Sequence, residues 1–418
     1  MKGIVIKNIS IGDELLIGQV INTNAAWLGE HLSDAGFQMD STLTIGDSEK
    51  AILDAFNACM DADLVLVTGG LGPTADDITK PTVCKFFNTE LEFCQSAYDN
   101  LVSLFRRRGF QMSERNRGQA LLPKSCEYIP NTYGTAPCMW LEKNGVAFAF
   151  MPGVPFEMKG IFTDELLPRI KERFQTIPYE KRVVMTTGIG ESFLADKIKD
   201  WEDALPDFLS LAYLPQYGMV RLRLSGRHED ARLLHETLND EVAKLAALIP
   251  EYIFAMQDQP IERTVFDLLI YKGMTFASAE SCTGGNIAHV FTLIPGSSEV
   301  FKGTAVTYAT SMKTKVLGVP AELIEKYGVV SQEVVEHMVT GVRDLMEADF
   351  GVATTGVAGP SGGTDENPVG TVWIGVASSS GVVSKRFNFG KDRENVINRA
   401  TIAAYKLLRE SILASSVS

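Results

Sequence analysis

Short apolar runs that end in glycine-rich turns constrain the fold of this chain more than any other feature. The clearest is DLVLVTGG (63–70), a strand pattern that ends in two glycines and precedes a helical pattern. Through residues 1–175 such runs alternate with helical segments. This alternation predicts an α/β domain with a mostly parallel sheet and helices on both faces. Ligands of such sheets bind beyond the carboxyl ends of the strands.

The pattern changes twice along the chain. Residues 176–257 have the pattern of short strands and two helices, which predicts a small α+β domain. Residues 258–418 return to strand–helix alternation. A chain of 418 residues also exceeds the size at which one hydrophobic core keeps growing. We therefore expect three domains, at 1–175, 176–257 and 258–418.

Charge and composition argue against several classes of protein. Lysine and arginine total 39 against 52 aspartate and glutamate, a net charge of −13, which disfavours a broad electrostatic grip on nucleic acid or anionic membranes. No apolar run reaches the length of about 18 residues that a membrane span requires, and the N-terminus resembles a strand rather than a signal peptide. The six cysteines include no C-x-x-C pair, so no disulfide framework or zinc site is predicted. We expect a cytoplasmic protein without membrane or nucleic-acid partners.

The glycine-rich segment TGGLGPTADDITK (68–80) lies between an apolar strand and a helix. Glycines at such a position leave backbone N–H groups free to face an anion at the helix start. The segment is neither a P-loop nor a dinucleotide-binding fingerprint, because G-K-[ST] and G-x-G-x-x-G are both missing. The pattern predicts a phosphate bound at Gly69, Gly70 and Gly72.

Carboxylates surround this predicted phosphate site. Asp76 and Asp77 would repel a phosphate unless a divalent cation such as Mg²⁺ bridges them, and hard cations prefer oxygen ligands. Asp13 follows the first strand at the same edge of the sheet, and Glu157 lies in the turn MPGVPFEMK. These four residues are the candidate metal ligands. The alternative for Asp76, Asp77 and Glu157 is a capping role at a helix start.

A further candidate in this domain is Asn116, in the segment SERNRGQALLP. It lies near a helix start and suits a second phosphate or a ribose. A solvated helix face is the alternative. We take Asn116 as a candidate substrate-binding residue.

Several segments of the first domain resemble the N-terminal domain of the CinA family: GDELLIGQVINTNAAWLGEHL, TGGLGPTADDITK, ERNRGQALLP and MPGVPFEMK. That domain is similar to the molybdopterin-binding domains of molybdenum-cofactor biosynthesis, which implies a three-layer fold. The resemblance also implies a divalent-metal-dependent ADP-ribose pyrophosphatase. The middle segment resembles the family's KH-type linker domain, but it lacks a basic G-x-x-G loop, so we do not expect it to bind RNA.

In the third domain, the segment ASAESCTGGNIAHVF (277–291) predicts a strand-to-helix corner at Ser281. Such a corner is either structural or the place of a nucleophile. A nucleophilic serine needs a base, and His289 is eight residues away, about 12 Å along a helix and too far for a hydrogen bond. A lysine base is therefore considered.

Lys313 is the candidate base, because GTAVTYATSMKTKVLGV (303–319) places it in the first turn of a helix that begins near Thr310. The positive end of the helix dipole, and burial, would both lower the pKa of Lys313, so that a neutral amine could take the proton of Ser281. The alternative is a solvent-exposed helix residue. Candidate oxyanion donors are the backbone N–H groups at the next helix start, those of Cys282, Thr283 and Gly284.

Two later segments suit a nucleotide. The glycine-rich run GVAGPSGGTDENPVG (356–370) either wraps a nucleotide with its backbone or forms a long turn. Arg393, at the start of the last helix, offers a guanidinium beside helix N–H groups, as a 5′-phosphate requires.

The third domain resembles the CinA C-terminal domain, a nicotinamide mononucleotide deamidase that needs no cofactor. The segments that carry the resemblance are AESCTGG, IPGSSEVFKGTAVTYATSMK, GVVS, TTGVAGPSGGTDENPVGTVWIG and FGKDRENV. The family's nucleophile falls on Ser281 and its base on Lys313. The resemblance adds Tyr308 and Thr355 as catalytic residues and Ser298, Gly356 and Arg393 as substrate-binding residues.

Together these resemblances imply a homodimeric enzyme that acts on nicotinamide mononucleotide in its third domain and on ADP-ribose in its first. A protein that only senses nucleotides is one alternative, since one fold can host several functions. A pterin-binding protein is another, suggested by the first domain alone.

Overall fold

The structure is a computed structural model that describes residues 4–72 and 77–415. The chain divides into two compact units, residues 1–180 with 227–234 and residues 181–226 with 235–418. Within the described ranges, no helix is both long and apolar enough to cross a bilayer.

The first unit contains a mixed sheet whose central strands are parallel. Its strands, and those of a small separate ribbon, are β1 (Ile6–Ile11), β2 (Met39–Ile45), β3 (Leu64–Thr68), β4 (Leu91–Phe93), β5 (Leu121–Pro123), β6 (Glu127–Ile129), β7 (Cys138–Lys143) and β8 (Val146–Met151). The sheet order is β2-β1-β3-β8-β7-β6, and β4 pairs with β5. Strands β2, β1, β3 and β8 run parallel, whereas β7 is antiparallel to both β8 and β6.

Helices cover both faces of this sheet. They are α1 (Asp13–Leu16), α2 (Thr23–Asp34), α3 (Glu49–Ala58), α4 (Thr79–Phe87), α5 (Gln95–Arg108), α6 (Glu114–Arg117), α7 (Pro155–Ile161) and α8 (Leu167–Arg173), with a 3-10 turn at Gly118–Ala120 and a π-helical turn at Phe162–Leu166. Alternate residues of β8 enter different cores: Phe148 and Phe150 pack with Phe56 of α3, whereas Ala149 packs with Leu32 of α2. The domain therefore has three layers, as predicted.

The middle segment is the predicted α+β domain. It comprises β9 (Tyr179–Thr187), α9 (Glu191–Asp203), β10 (Leu209–Gln216), β11 (Met219–Arg227), α10 (Ala231–Leu248) and β12 (Ile253–Ala255). The strand order is β10-β11-β9-β12. Its two helices are joined by a buried hydrogen bond in which Trp201 Nε1 donates to Glu241 at 2.9 Å.

The third segment is a second three-layer α/β domain. Its strands are β13 (Phe276–Glu280), β14 (Phe301–Val306), β15 (Phe350–Gly356), β16 (Thr371–Ser378) and β17 (Gly381–Asn388), in the order β14-β13-β15-β16-β17. Strands β14, β13 and β15 are parallel, and β16 and β17 are antiparallel additions. This confirms the predicted α/β class.

The helices of this domain form two layers. They are α11 (Ile261–Lys272), α12 (Asn286–Thr292), α13 (Thr310–Leu317), α14 (Ala321–Tyr327), α15 (Gln332–Leu345) and α16 (Arg393–Ala414), with a 3-10 turn at Ser297–Glu299. One core joins α11, α12 and α16 to the sheet, and the other joins α15 to its opposite face. Because β13 lies between two parallel neighbours, residues that follow its carboxyl end lie at the middle of the sheet edge.

Candidate active sites

Ser281 directly follows the central strand β13. Its N–H donates to the Thr354 carbonyl of β15 at 3.1 Å, so the sheet still holds the backbone at this position. The chain then turns through Gly284 and Gly285, whose φ angles of 64° and 102° lie in the left-handed region that favours glycine. The double glycine thus allows Ser281 to lie at a tight corner before α12.

Glu280 fixes this corner from within the protein. Its side chain is 0% exposed, and its carboxylate accepts hydrogen bonds from the backbone N–H groups of Gly285, Ile287 and Ala288 at 3.0, 3.1 and 2.9 Å. The Thr283 hydroxyl donates to the same carboxylate at 2.8 Å. A carboxylate in this position accepts from the otherwise unpaired N–H groups at the start of α12. Its negative charge also interacts favourably with the positive end of the helix dipole. Glu280 was not predicted from the sequence, although its position as an acid at the end of a buried strand was a signal.

Lys313 reaches Ser281 from the first turn of α13. Its side chain is 1% exposed, and its Nζ lies 3.0 Å from Ser281 Oγ. The same Nζ donates to the Thr307 carbonyl at 2.7 Å, which fixes the direction of the amine. Burial lowers the pKa of Lys313 from its ordinary value, because the interior disfavours the ammonium form. The geometry places a serine hydroxyl beside a buried lysine amine, and an adjacent base is what activates a nucleophilic serine.

Cys282 lies next to Ser281 but has a different character. Burial raises the pKa of its thiol to about 12, so the reactive thiolate is disfavoured. Among the three predicted oxyanion donors, the Gly284 N–H is already used, since it donates to the Ser281 carbonyl at 3.1 Å. The N–H groups of Cys282 and Thr283 donate to no backbone carbonyl in the part of the chain that the structure describes. Cys282, Thr283 and Gly284 also lie before α12, which begins at Asn286. Contrary to the prediction from the sequence, they therefore do not form the first turn of this helix.

A cavity of about 600 Å³ opens beside Ser281 and Lys313. Its size is in the range of small-molecule binding sites. The predicted residues that line it are Ser281, Cys282, Tyr308, Lys313, Thr355, Gly356 and Arg393. Thr283, Gly284 and Ser298 are not among its lining residues; Ser298 is exposed in the 3-10 turn that precedes β14. The Thr355 hydroxyl donates to the Val329 carbonyl at 2.8 Å and so holds a neighbouring wall of the cavity.

Arg393 joins two walls of this cavity. Its Nη1 donates to the Gly359 carbonyl at 2.7 Å, and its Nη2 donates to the Tyr308 hydroxyl at 2.7 Å. Asp392 caps α16 by accepting from the Asn395 N–H at 2.8 Å, which places the guanidinium at the helix start. Lys326 is a second cation on the cavity wall that the sequence argument missed. The cavity therefore combines a serine hydroxyl, a buried lysine amine and two further cationic side chains, those of Lys326 and Arg393.

The first domain has its own cavity, of about 390 Å³, at the carboxyl ends of β1, β2 and β3. The predicted glycines Gly69, Gly70 and Gly72 line it, together with Asp77 and Glu157. Further lining residues that the sequence argument did not select include Gly12, Asp47 and Gln119.

Two carboxylates are tied together at this cavity, and of the two only Asp47 lines it. Asp13 and Asp47 are tied together, since the Asp13 N–H donates to Asp47 Oδ2 at 2.9 Å and the Asp47 N–H donates to Asp13 Oδ1 at 3.2 Å. Burial raises the pKa of Asp47, and the charges of Asp13, Glu14 and Asp77 act in the same direction. Asp77 Oδ1 accepts from the Gly72 N–H at 2.9 Å and so closes the glycine turn.

The remaining predicted residues of this domain have structural contacts. Glu157 accepts a hydrogen bond from Asn131 Nδ2 at 2.7 Å, and Asp13 does not line the cavity. Asn116 accepts from the Ser113 hydroxyl at 2.6 Å and is also outside the cavity lining. Asp76 lies outside the described residues. Across residues 4–72 and 77–415, no three acidic, histidine or cysteine side chains are grouped so that they could hold a metal ion.

Three family models match the chain in succession. The "Probable molybdopterin binding domain" matches residues 7–172, the "Damage-inducible protein CinA KH domain" matches 181–255, and the "CinA C-terminal domain" matches 258–412.

Full-length relatives support the same relation. A CinA-like protein of Cytophaga hutchinsonii is 42% identical over 405 residues, which are 97% of this chain and 97% of the relative. A CinA-like protein of Flavobacterium psychrophilum is 42% identical over 411 residues, 97% of this chain and 98% of the relative. A crystal structure of a competence/damage inducible protein from Agrobacterium tumefaciens is 34% identical, covers 37% of this chain and 93% of its own, and has a TM-score of 0.36.

Proposed function

The chain belongs to the CinA family, and from that premise we propose that its C-terminal domain converts nicotinamide mononucleotide and water to nicotinate mononucleotide and ammonia. The observation that carries the proposal is the contact between Lys313 Nζ and Ser281 Oγ, 3.0 Å apart, on the wall of a ligand-sized cavity. A buried lysine with a lowered pKa is better suited to act as a general base than an exposed lysine, because its neutral amine is easier to form.

In the proposed reaction, Ser281 Oγ attacks the carboxamide carbon while Lys313 takes the hydroxyl proton. The backbone N–H groups of Cys282 and Thr283 are the candidate donors for the oxyanion that forms. Lys313 then returns the proton to the departing nitrogen, so ammonia leaves and an ester remains on Ser281. Water, deprotonated by Lys313, hydrolyses that ester to the carboxylate product and restores the serine.

The cavity walls support a nucleotide as the substrate. Arg393 lies at the start of α16, where a guanidinium and helix N–H groups can hold a 5′-phosphate. Lys326 adds a second positive charge to the same cavity. The loop from Val357 to Asn367 contributes much of the remaining wall, which is suited to enclose the sugar and ring.

Ammonia release by two neighbouring variants tests this proposal. Ser281→Ala should lower ammonia release from nicotinamide mononucleotide by at least about 1,000-fold, because it removes the nucleophile. Cys282→Ala should retain most of the activity, because only the backbone of Cys282 has a role. The reverse pattern would show a thiol mechanism. A wild-type protein that binds the nucleotide without releasing ammonia would support a sensor instead.

We also propose, as a second function, metal-dependent cleavage of ADP-ribose in the N-terminal domain. The specific observation in its favour is that the carboxylates of Glu14, Asp47, Asp77 and Glu157 line the same cavity as the glycines. Mg²⁺ is commonly held by one or two carboxylates together with substrate phosphates, so a complete set of protein ligands is not required. A bound Mg²⁺ would neutralise the pyrophosphate, and the Gly70 N–H would help to orient it. The N–H groups of Gly69 and Gly72 already donate, to the Met151 carbonyl at 3.2 Å and to Asp77 Oδ1 at 2.9 Å.

Further expectations from the family belong to the same proposal. The protein acts as a homodimer in the cytoplasm, and its partners are the two nucleotides. A pterin-binding role would use the N-terminal cavity alone and would leave the Ser281–Lys313 pair without a task. We therefore favour the two hydrolytic activities.

A further inference from the structure

Gln119 is the least explained polar residue of the N-terminal cavity. It lies in the 3-10 turn Gly118–Ala120, it lines the cavity, and its side chain is 1% exposed. Neither Oε1 nor Nε2 of its carboxamide has a hydrogen-bond partner within the described residues. Buried polar side chains are nearly always hydrogen-bonded, because an unpaired polar group loses its interactions with water without compensation. A buried carboxamide that faces a cavity without partners indicates a group that becomes paired when a ligand binds.

A second unpaired group lies next to the glycine turn that lines this cavity. The Thr79 side chain is 0% exposed, and its hydroxyl also has no partner among the described residues. This hydroxyl lies directly under the glycine turn, since a Cβ added to Gly70 would come within 2.0 Å of it. Lys80 is buried nearby, with its Nζ 3.5 Å from the Gly118 carbonyl. Gln119 lines the cavity, and Thr79 and Lys80 are buried behind the cavity lining, so the polar groups around the glycine turn are only partly satisfied within the described residues.

The chemistry of the carboxamide restricts what it can bind. Gln119 offers one donor group and one acceptor group, and both are unpaired. Ionised phosphates only accept hydrogen bonds, and so do the carboxylates of Asp47 and Asp77, so none of them can satisfy Oε1. Ribose hydroxyls, and a base edge with an amino group beside a ring nitrogen, offer both a donor and an acceptor.

We propose that Gln119 binds the nucleoside part of a nucleotide in the N-terminal cavity, and that its phosphates lie at Gly70 of the glycine turn, whose N–H donates to no backbone carbonyl of the described residues. This inference rests on the proposed second function, and it assigns a specificity-determining residue to that site. The ligand group that Gln119 recognises offers a hydrogen-bond donor and an acceptor side by side. Either a ribose hydroxyl or the base can provide them.

Calorimetric titration of the full chain tests the assignment with three probes. AMP carries base and ribose, ribose 5-phosphate carries only the sugar, and magnesium pyrophosphate carries neither. Gln119→Met keeps the length of the side chain but removes both hydrogen-bonding groups. It should weaken AMP binding by about tenfold or more while magnesium pyrophosphate binding stays within about twofold. Loss with ribose 5-phosphate as well would identify the ribose hydroxyl, and loss with AMP alone would identify the base.

The melting temperature of the variant separates a binding role from a structural one. Gln119→Met should not lower it, because the substitution replaces an unpaired buried amide with an apolar side chain. Gln95→Met, at an exposed glutamine of α5, is the matched control and should change neither the melting temperature nor any titration.

Three results would overturn the inference. They are equal weakening with magnesium pyrophosphate, unchanged binding of AMP, and a lowered melting temperature with loss of every probe. A wild-type chain that binds none of the probes would instead contradict the proposed second function, so the two failures are distinguishable.

Discussion

Burial acts in opposite directions on two residues beside Ser281. The protein interior lowers the pKa of Lys313 and raises the pKa of Cys282 to about 12, because in each case it disfavours the charged form. A lowered pKa favours the neutral amine that a base needs, whereas a raised pKa disfavours the thiolate that a nucleophile needs. The same environment therefore favours serine as the nucleophile over the adjacent thiol.

At the residue scale, Arg393→Ala should raise KM for nicotinamide mononucleotide by about tenfold or more, since a charge-assisted hydrogen bond to phosphate is worth about 1.5–3 kcal/mol. Steady-state ammonia release measures the effect. Nicotinamide riboside lacks the phosphate, and its turnover should change little.

The Tyr308 hydroxyl contacts the same guanidinium at 2.7 Å, so Tyr308→Phe is the matched control. It should change KM for the nucleotide less than Arg393→Ala does. Equal losses of Arg393→Ala on nucleotide and riboside would show that Arg393 supports the structure and does not bind the phosphate.

Site residues that belong to a recognisable sequence motif could be predicted from the sequence. Site residues that only the folded structure brings to a cavity could not. The strand-to-helix corner indicated Ser281, whereas Lys313 was selected because the segment resembles the CinA C-terminal domain; the structure places the two side chains 3.0 Å apart. Asp47 and Gln119 belong to no recognised pattern, and only folding brings them to the cavity. Ser298 and Asn116 lie in matching segments but outside the cavity linings, because proximity along the chain does not determine where a side chain points.

At the scale of elements, the link from β13 to α12 is built around Glu280. A strand end supplies the carboxylate, two glycines supply the turn, and the carboxylate then caps the helix. The sequence predicted the strand, the glycine turn and the helix, but it placed the helix start before Asn286. Helix ends depend on such side-chain caps, which helix propensity and hydrophobic periodicity do not reveal.

Glu280→Gln tests whether this cap positions the nucleophile. A glutamine has one oxygen in place of two and adds donors that face the backbone donors, so the variant should lose about 1.5–3 kcal/mol in the free energy of unfolding. Because Ser281 is the next residue, kcat for ammonia release should fall by about tenfold or more while KM changes little. Urea denaturation and steady-state kinetics measure the two effects.

Glu322→Gln, at the exposed start of α14, is the control and should alter neither quantity. Full turnover in Glu280→Gln would contradict the positioning role of Glu280, even if its stability fell.

At the scale of the whole molecule, the two candidate sites lie in different compact units and differ in chemistry. The N-terminal cavity is lined by glycines and carboxylates, whereas the C-terminal cavity contains a serine, a lysine and an arginine. The α/β class of the first and third domains could be predicted from strand–helix alternation, because hydrophobic periodicity and turn residues are local features of the sequence. The division into two units could not be predicted, because it depends on contacts between distant segments.

The central claim is that Lys313 serves as the base for Ser281 without help from the N-terminal site. The most direct measurement assays ammonia release from nicotinamide mononucleotide and AMP release from ADP-ribose on the full-length protein, with and without a metal chelator. Lys313→Arg should abolish ammonia release, because an arginine stays protonated, and should leave AMP release unchanged. The chelator should do the reverse. Ammonia release by Lys313→Arg, or its loss from the wild-type protein under chelation, would contradict the account.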